Sequence, residues 1–234
     1  NNEIKGILIA LDCTEKVIEE AIMHQLNLVI THHPVIFKGL KSIIGKSNSE
    51  RAIIKALKNN ISVYALHTNL DNTFFNGVNH KIASRLNLKN LSILRSVTKN
   101  SFNFENMGSG ILGDLPTSMY LEEILQRIKT AFHTKVIRYT EPIGKKIERI
   151  AICGGSGSFL LKDAIEKKAD LFLSSDFKYH EFFEADNKIV IADIGHYESE
   201  QFTSELIFEI LSQKFDTFAL RCTEFNTNPI NYYF

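Results

Sequence analysis

Residues 27–34 read NLVITHHP. The run Asn27 to Thr31 is apolar and of strand length, and Pro34 removes a backbone donor, so the strand ends in the pair His32-His33. Working outward, Gly6 to Leu11 (GILIAL) is an earlier strand. Thr14 then opens a helix, as N-cap with Glu15 in the first turn, and Val17, Ile18, Ala21 and Ile22 share one face. Glu50 to Lys58 reads as a helix, Ile61 to Leu66 as a strand and Gly77 to Leu86 as a helix. The second half continues in the same order. Arg149 to Cys153 is a strand, residues 154–158 (GGSGS) a glycine-rich turn and Phe159 to Lys168 a helix. Leu171 to Leu173 and Ile189 to Ile194 are strands, and Glu198 to Lys214 is a helix. Buried strands alternating with helices predict an α/β fold with helices on the sheet faces.

The halves resemble one another. A shift of 143 residues carries Ile7 onto Ile150, residues 27–31 onto 170–174, and His33 onto Asp176. A shift of 128 carries Ile61 to His67 onto Ile189 to Gly195, one residue before His196. We therefore expect two similar lobes facing each other across a cleft: an N-terminal lobe at 1–94 and a C-terminal lobe at 119–234. The little-patterned residues 95–118 are expected to connect them, and Leu121 to Ile128 resumes as a helix.

Composition narrows the function. The chain of 234 residues carries 27 basic and 27 acidic side chains, so its formal net charge is zero. A hydrophobic fraction of 44% with 23% charged residues argues against a disordered chain. Zero net charge disfavours a nucleic-acid binder, which needs excess Lys and Arg. No apolar run approaches the roughly 18 to 20 residues of a membrane-spanning helix. Cys13, Cys153 and Cys222 form no CxxC pair, which points to free thiols in a reducing compartment and hence a cytoplasmic protein. No signal peptide is visible, and a chain beginning with Asn is expected to lack its natural N-terminus.

Three strand ends carry strong metal ligands: His32-His33, His67 with Asp71, and His196 with Glu200. Ligands in open α/β sheets gather beyond the carboxyl ends of strands. Adjacent histidines leaving a strand point to opposite sides, so two neighbouring ions suit them better than one. His196 and Glu200, four apart at a helix start, share a face. Nitrogen-plus-oxygen ligation fits Zn, Mn or Fe, and no cysteine neighbours these residues in sequence. The GGSGS turn could hold an anion on its amides or serve only close packing. Asp176, Lys178 and His180 could line the cleft, bind a phosphate or be exposed loop residues.

The blocks LDCTEKVIEEA, NLVITHHPVIFKGLKSI, HTNLDN with GVN, ICGGSGSFL, SSDFKYHEFFEA and IADIGHYESEQFT resemble the NIF-three-like proteins, also labelled GTP cyclohydrolase 1 type 2. The similarity covers most of residues 6–90 and 108–230. It implies a NIF-three-like fold; the central inserted domain of many relatives is absent from this sequence, so either this is a short form or part of the natural chain lies outside it. It implies two divalent transition-metal ions per chain, held by His32, His33, Asp71, His196 and Glu200. It also implies a toroidal homohexamer and hydrolysis of a GTP-like nucleotide by metal-bound hydroxide. In that setting His67 would stand behind the ligands or face the substrate, His67 or His180 would shuttle protons, and Lys178 and the GGSGS turn would meet the triphosphate. The rival expectation is a non-catalytic metal-binding scaffold or adaptor.

Overall fold

The structure, a computed structural model, describes residues 3–99, 102–215, 217 and 219–233, without the side chains of 98, 99 and 102–105. It divides into two compact units. Unit 1 comprises Asn1–Asn69 and Thr203–Asn231, and unit 2 comprises Leu70–Phe202 and Tyr232–Phe234.

Unit 1 is built on strands β1 (Gly6–Ala10), β2 (Leu28–Thr31), β3 (Ser62–Ala65) and β10 (Ala219–Cys222). They form a parallel sheet in the order β10-β1-β2-β3. All five β1 residues are buried, as expected of a parallel strand covered on both faces. Helix α1 (Glu15–Met23) starts where the Thr14 hydroxyl accepts from the Val17 amide at 3.3 Å, the expected cap. It buries Val17, Ile18 and Ala21 against Leu8, Ala10 and Val29, and each such large apolar side chain contributes about 1.5–3 kcal/mol. Helix α2 (Asn48–Lys58) is capped by Ser47, whose hydroxyl accepts from the Glu50 amide at 3.2 Å, and buries Ala52 and Ala56. Helix α8 (Thr203–Lys214) buries Leu206 and Ile207.

Unit 2 holds a six-stranded sheet in the order β4-β5-β7-β8-β9-β6. Its strands are β4 (Lys89–Lys99), β5 (Phe102–Met119), β6 (Arg138–Tyr139), β7 (Ile147–Ser156), β8 (Leu171–Ser175) and β9 (Val190–Asp193). β7, β8 and β9 run parallel, while β4-β5, β5-β7 and β6-β9 are antiparallel. Ala151, Phe172, Leu160, Leu161 and Ile191 share one core with Leu94 and Leu112. Helices α4 (Val78–Arg85), α5 (Leu121–Ala131), α6 (Leu161–Glu166) and α7 (His196–Glu200) complete the unit.

The two parallel strand triplets share one register. Ile7 pairs with Leu28 and Ile150 with Leu171, the same pair shifted by 143 residues. Val29 pairs with Val63 and Phe172 with Ile191, with β9 following β3 at the 128-residue shift. The internal likeness read from the sequence is thus repeated in the strand pairing.

Three expectations need correcting. Residues 95–118 are not an irregular connection, because their described part lies in the β4 and β5 strands, paired antiparallel. Leu94, Ile111 and Leu112 anchor that pair in the core, while polar residues on its exposed side hide the pattern. The compact units are also divided differently from lobes at 1–94 and 119–234: residues 203–231 belong with unit 1, since β10 pairs with β1. The helix expected at Glu198 to Lys214 is two helices, α7 and α8. At the break, Gln201 Nε2 donates to the carbonyls of Glu198 at 3.1 Å and Phe132 at 2.8 Å.

Candidate metal-binding clusters

In unit 1 the β1-β2 pairing continues past the strands. The His32 amide donates to the Ala10 carbonyl at 3.3 Å, and the His33 amide to the Leu11 carbonyl at 2.9 Å. Both histidines are therefore fixed at the carboxyl end of the sheet, and both are buried. His32 Nδ1 lies 2.8 Å from the Leu66 carbonyl. A carbonyl only accepts, so Nδ1 carries a proton and donates, which leaves Nε2 as the ring nitrogen available to an ion. His33 Nδ1 lies 2.8 Å from Asp12 Oδ1 and is fixed the same way. The His67 ring meets both edge-on, with centroids 5.3 Å from His32 and 5.6 Å from His33. One donor atom from each of His32, His33 and His67 lies within 4.8 Å of the others, a group able to hold a metal ion. Phe37 packs over His33 and His67.

Unit 2 carries a second donor cluster. Gly195, at φ 93°, precedes α7 in a backbone conformation natural only to glycine. His196 Nδ1 sits 2.7 Å from Asp176 Oδ2, and its Nε2 sits 3.0 Å from Glu200 Oε2 one turn along α7. The Asp176 carboxylate, then that of Glu200, pushes the His196 imidazolium up to about 10. The same contact with His196 holds the Asp176 carboxyl below its usual range. A carboxylate of Asp71 and one of Glu200 have donor oxygens within 4.8 Å. Asp71 ends the short helix α3 (Thr68–Asp71). Asn79, buried on α4, holds that segment: its Nδ2 donates to the Asp71 carbonyl at 3.1 Å and its Oδ1 accepts from the Gly154 amide at 2.8 Å.

Within the GGSGS segment, Gly155 leaves space for this cluster, and the amides of Gly154 and Gly155 are already used. Gly154 and Gly155 lie in β7, and the expected turn is the strand's end. A Cβ on Gly155, at φ +61°, would lie 2.4 Å from Glu200 Oε1 and 3.2 Å from His196 Cε1. The Gly154 amide is used by Asn79, and the Gly155 amide donates to Ser199 Oγ at 2.9 Å. Burial, then Asp71 and Glu200, pushes the Cys153 thiol up to about 12. The fold thus brings a cysteine near carboxylates from which it is distant in sequence.

Residues 1–229 match the family profile described as Duf34/NIF3 (NGG1p interacting factor 3). The chain belongs to the Duf34/NIF3 family. A Clostridium acetobutylicum relative named GTP cyclohydrolase 1 type 2 homolog is 35% identical over 198 residues, covering 84% of this chain and 72% of its own. A solved Staphylococcus aureus structure matches with TM-score 0.88 and 27% identity, over 100% of this chain and 89% of its own. A Bacillus cereus protein related to NIF3 shares the fold with TM-score 0.89 at 22% identity, over 100% and 90% of the two chains. The mixed α/β fold of the Duf34/NIF3 family therefore extends over this whole chain.

Within this Duf34/NIF3 chain the expected residues fall as follows. His32, His33 and His67 come together in unit 1, and His196 and Asp71 each approach Glu200 in unit 2. His180 lies apart on the 3-10 helix Tyr179–Ala185, exposed, its ring beside Tyr179 at 5.1 Å. Lys178, also exposed, precedes that helix. A cavity of about 650 Å³ lined by Arg138, Tyr139, Tyr179, Phe182 and Phe183 includes none of the expected ligands. Sequence reading missed Asp12 and Asn79. Asp12 stands just past a strand's carboxyl end, and that position was its signal. Asn79 had no signal beyond a polar side chain on an apolar helix face. Among the described residues no helix is long and apolar enough to cross a membrane.

Proposed function

We propose that this protein is a dinuclear metal-dependent hydrolase acting on a nucleotide-like substrate, with His32, His33, Asp71, His196 and Glu200 as ligands. The observation that carries the reading is a shared arrangement. Nδ1 of His32, His33 and His196 faces an oxygen acceptor, from Leu66, Asp12 and Asp176 respectively. Metal-binding histidines are held in this way, with the other nitrogen turned to the ion. Three imidazoles with two carboxylates fit Zn, Mn or Fe. His196 Nε2 and Glu200 Oε2, 3.0 Å apart, face one another where a cation would be favoured.

Divalent ions held by these donors would lower the pKa of water and polarise a substrate carbonyl or phosphoryl oxygen. His67, whose ring lies beside those of His32 and His33, is placed to hold or pass a proton. His180 serves as a second proton carrier in this reading, being exposed to solvent. The name of the Clostridium acetobutylicum relative supports a GTP-like substrate. A toroidal homohexamer belongs to the same proposal and is read by light scattering of the eluting protein.

Elemental analysis of protein purified without chelator tests the ligand set. About two transition-metal ions per chain are expected, falling in both Asp71→Ala and His32→Ala. GTP turnover by metal-loaded protein, abolished in Asp71→Ala, supports the hydrolase. Two ions per chain with no turnover across a broad nucleotide screen would instead support a metal-binding scaffold.

A further inference from the structure

The residues after β10 are built into unit 1 at several points. The Thr223 amide donates to the Ile9 carbonyl at 2.8 Å, beside β1. The buried Glu20 carboxylate accepts from the Thr223 hydroxyl and, at 3.0 Å, from the Glu224 amide. Asn226 and Asn228 then shape the chain locally, their Oδ1 atoms accepting from the amides of Asn228 at 2.8 Å and Ile230 at 3.0 Å. Between them stands Thr227, whose hydroxyl donates to Asp12 Oδ2 at 2.6 Å. The other oxygen of that carboxylate receives His33 Nδ1 at 2.8 Å.

The geometry points to Thr227, acting through Asp12, as a positioning residue for the His33 imidazole. An aspartate side chain turns about two torsions. The His33 ring and the Thr227 hydroxyl hold opposite oxygens of the Asp12 carboxylate, and together they fix its plane. Asp12 is only partly shielded, its side chain 32% exposed, so without Thr227 water would compete for the carboxylate. His33 is then locked as the Nδ1–H tautomer, with Nε2 as its donor. This rests on the metal-binding reading, and it adds a specific consequence: a residue 215 positions away from Asp12 sets the orientation of one ligand.

The test uses the full chain and two readouts. The nitrogen shifts of His33 in metal-free, histidine-labelled protein report its tautomer. Competition with a chromophoric chelator gives the zinc affinity. In Thr227→Val, which keeps the side-chain shape, the His33 shifts should move toward a mixture of tautomers. Zinc affinity should fall about tenfold, the lower range for loss of a partner behind a ligand. Thr227→Ser should restore both, and Asp12→Ala should reproduce the loss. Wild-type shifts in Thr227→Val, or moved shifts with unchanged zinc affinity, would overturn the proposal. If the wild-type protein takes up no zinc, the metal-binding reading fails, while the shifts in metal-free protein still decide whether Thr227 orients His33.

Discussion

Replacing Gly155 by alanine perturbs the unit 2 cluster from beneath. Two costs follow from the backbone. At φ +61° a residue with a Cβ is strained by about 1–2 kcal/mol. The new methyl would also sit 2.4 Å from Glu200 Oε1, about 1 Å inside ordinary contact at 3.4 Å. Glu200 is 4% exposed and cannot swing into water, so the strain of overpacking adds about 1–3 kcal/mol. A central total of about 3.5 kcal/mol lowers the melting temperature of a chain this size by roughly 7–14 °C. Gly144→Ala is the control. Gly144 has φ +75° but nothing within 4 Å of its would-be Cβ, so only the backbone cost applies, roughly 2–8 °C. Both variants are melted in chelator by circular dichroism, and metal content is measured separately. Gly155→Ala should melt below Gly144→Ala and lose metal, while the control keeps wild-type metal content. If the two variants melted alike and both kept their metal, Gly155 would not be making room for Glu200.

Two further outcomes follow from the electrostatics. Burial first, and then Asp12, pushes the Cys13 thiol up to about 11, and Cys153 stands near 12. The reactive thiolate is thus scarce in the folded protein at pH 8, so neither should be alkylated by iodoacetamide until denaturant is added, as peptide mass analysis would show. Rapid native labelling of Cys153 would contradict its placement beside Asp71 and Glu200. Separately, Arg95 Nε meets Asp163 Oδ1 at 3.0 Å and holds that carboxyl below its usual 3.8. A depressed pKa contributes stability above the unfolded value, lost as pH falls through the folded one. The pair is half-exposed, so Asp163→Asn should cost less than about 1 kcal/mol near neutrality in urea titrations. The difference from wild type should shrink only below about pH 4. A difference that grew on acidification would refute the assignment.

The sequence displayed some of this plainly and hid the rest for physical reasons. NLVIT and GILIAL are legible because parallel strands buried on both faces are apolar throughout. Thr14 marks its helix because a hydroxyl residue and an acidic first turn stand directly before an apolar face, whereas Ser47 lies in a polar run that offers several candidate starts. β4 and β5 escaped because an exposed antiparallel pair needs only scattered core residues, such as Leu94 and Ile111, between polar ones. β10 escaped because ALRC is short and half polar. The histidines could be proposed as ligands from their places after strands. The atoms that orient them could not: Leu66 contributes a backbone carbonyl, and Asp12 meets a ring 21 positions away. The glycines of the 154–158 segment looked like a turn because a β-strand gives no local hint that a carboxylate will occupy the place of a side chain.

The position of β10 beside β1 has a consequence for synthesis on the ribosome. One edge of β1 must wait until Ala219 to Cys222 emerge, some 209 residues after Ala10 (219 − 10). At translation rates of about 5–20 residues per second, that interval is roughly 10–40 s. All of residues 70–202 emerge in the meantime, so the unit begun second is the first whose strands are all available. A nascent chain stalled before residue 219 would carry an unsatisfied apolar strand edge, open to pairing with a neighbouring chain.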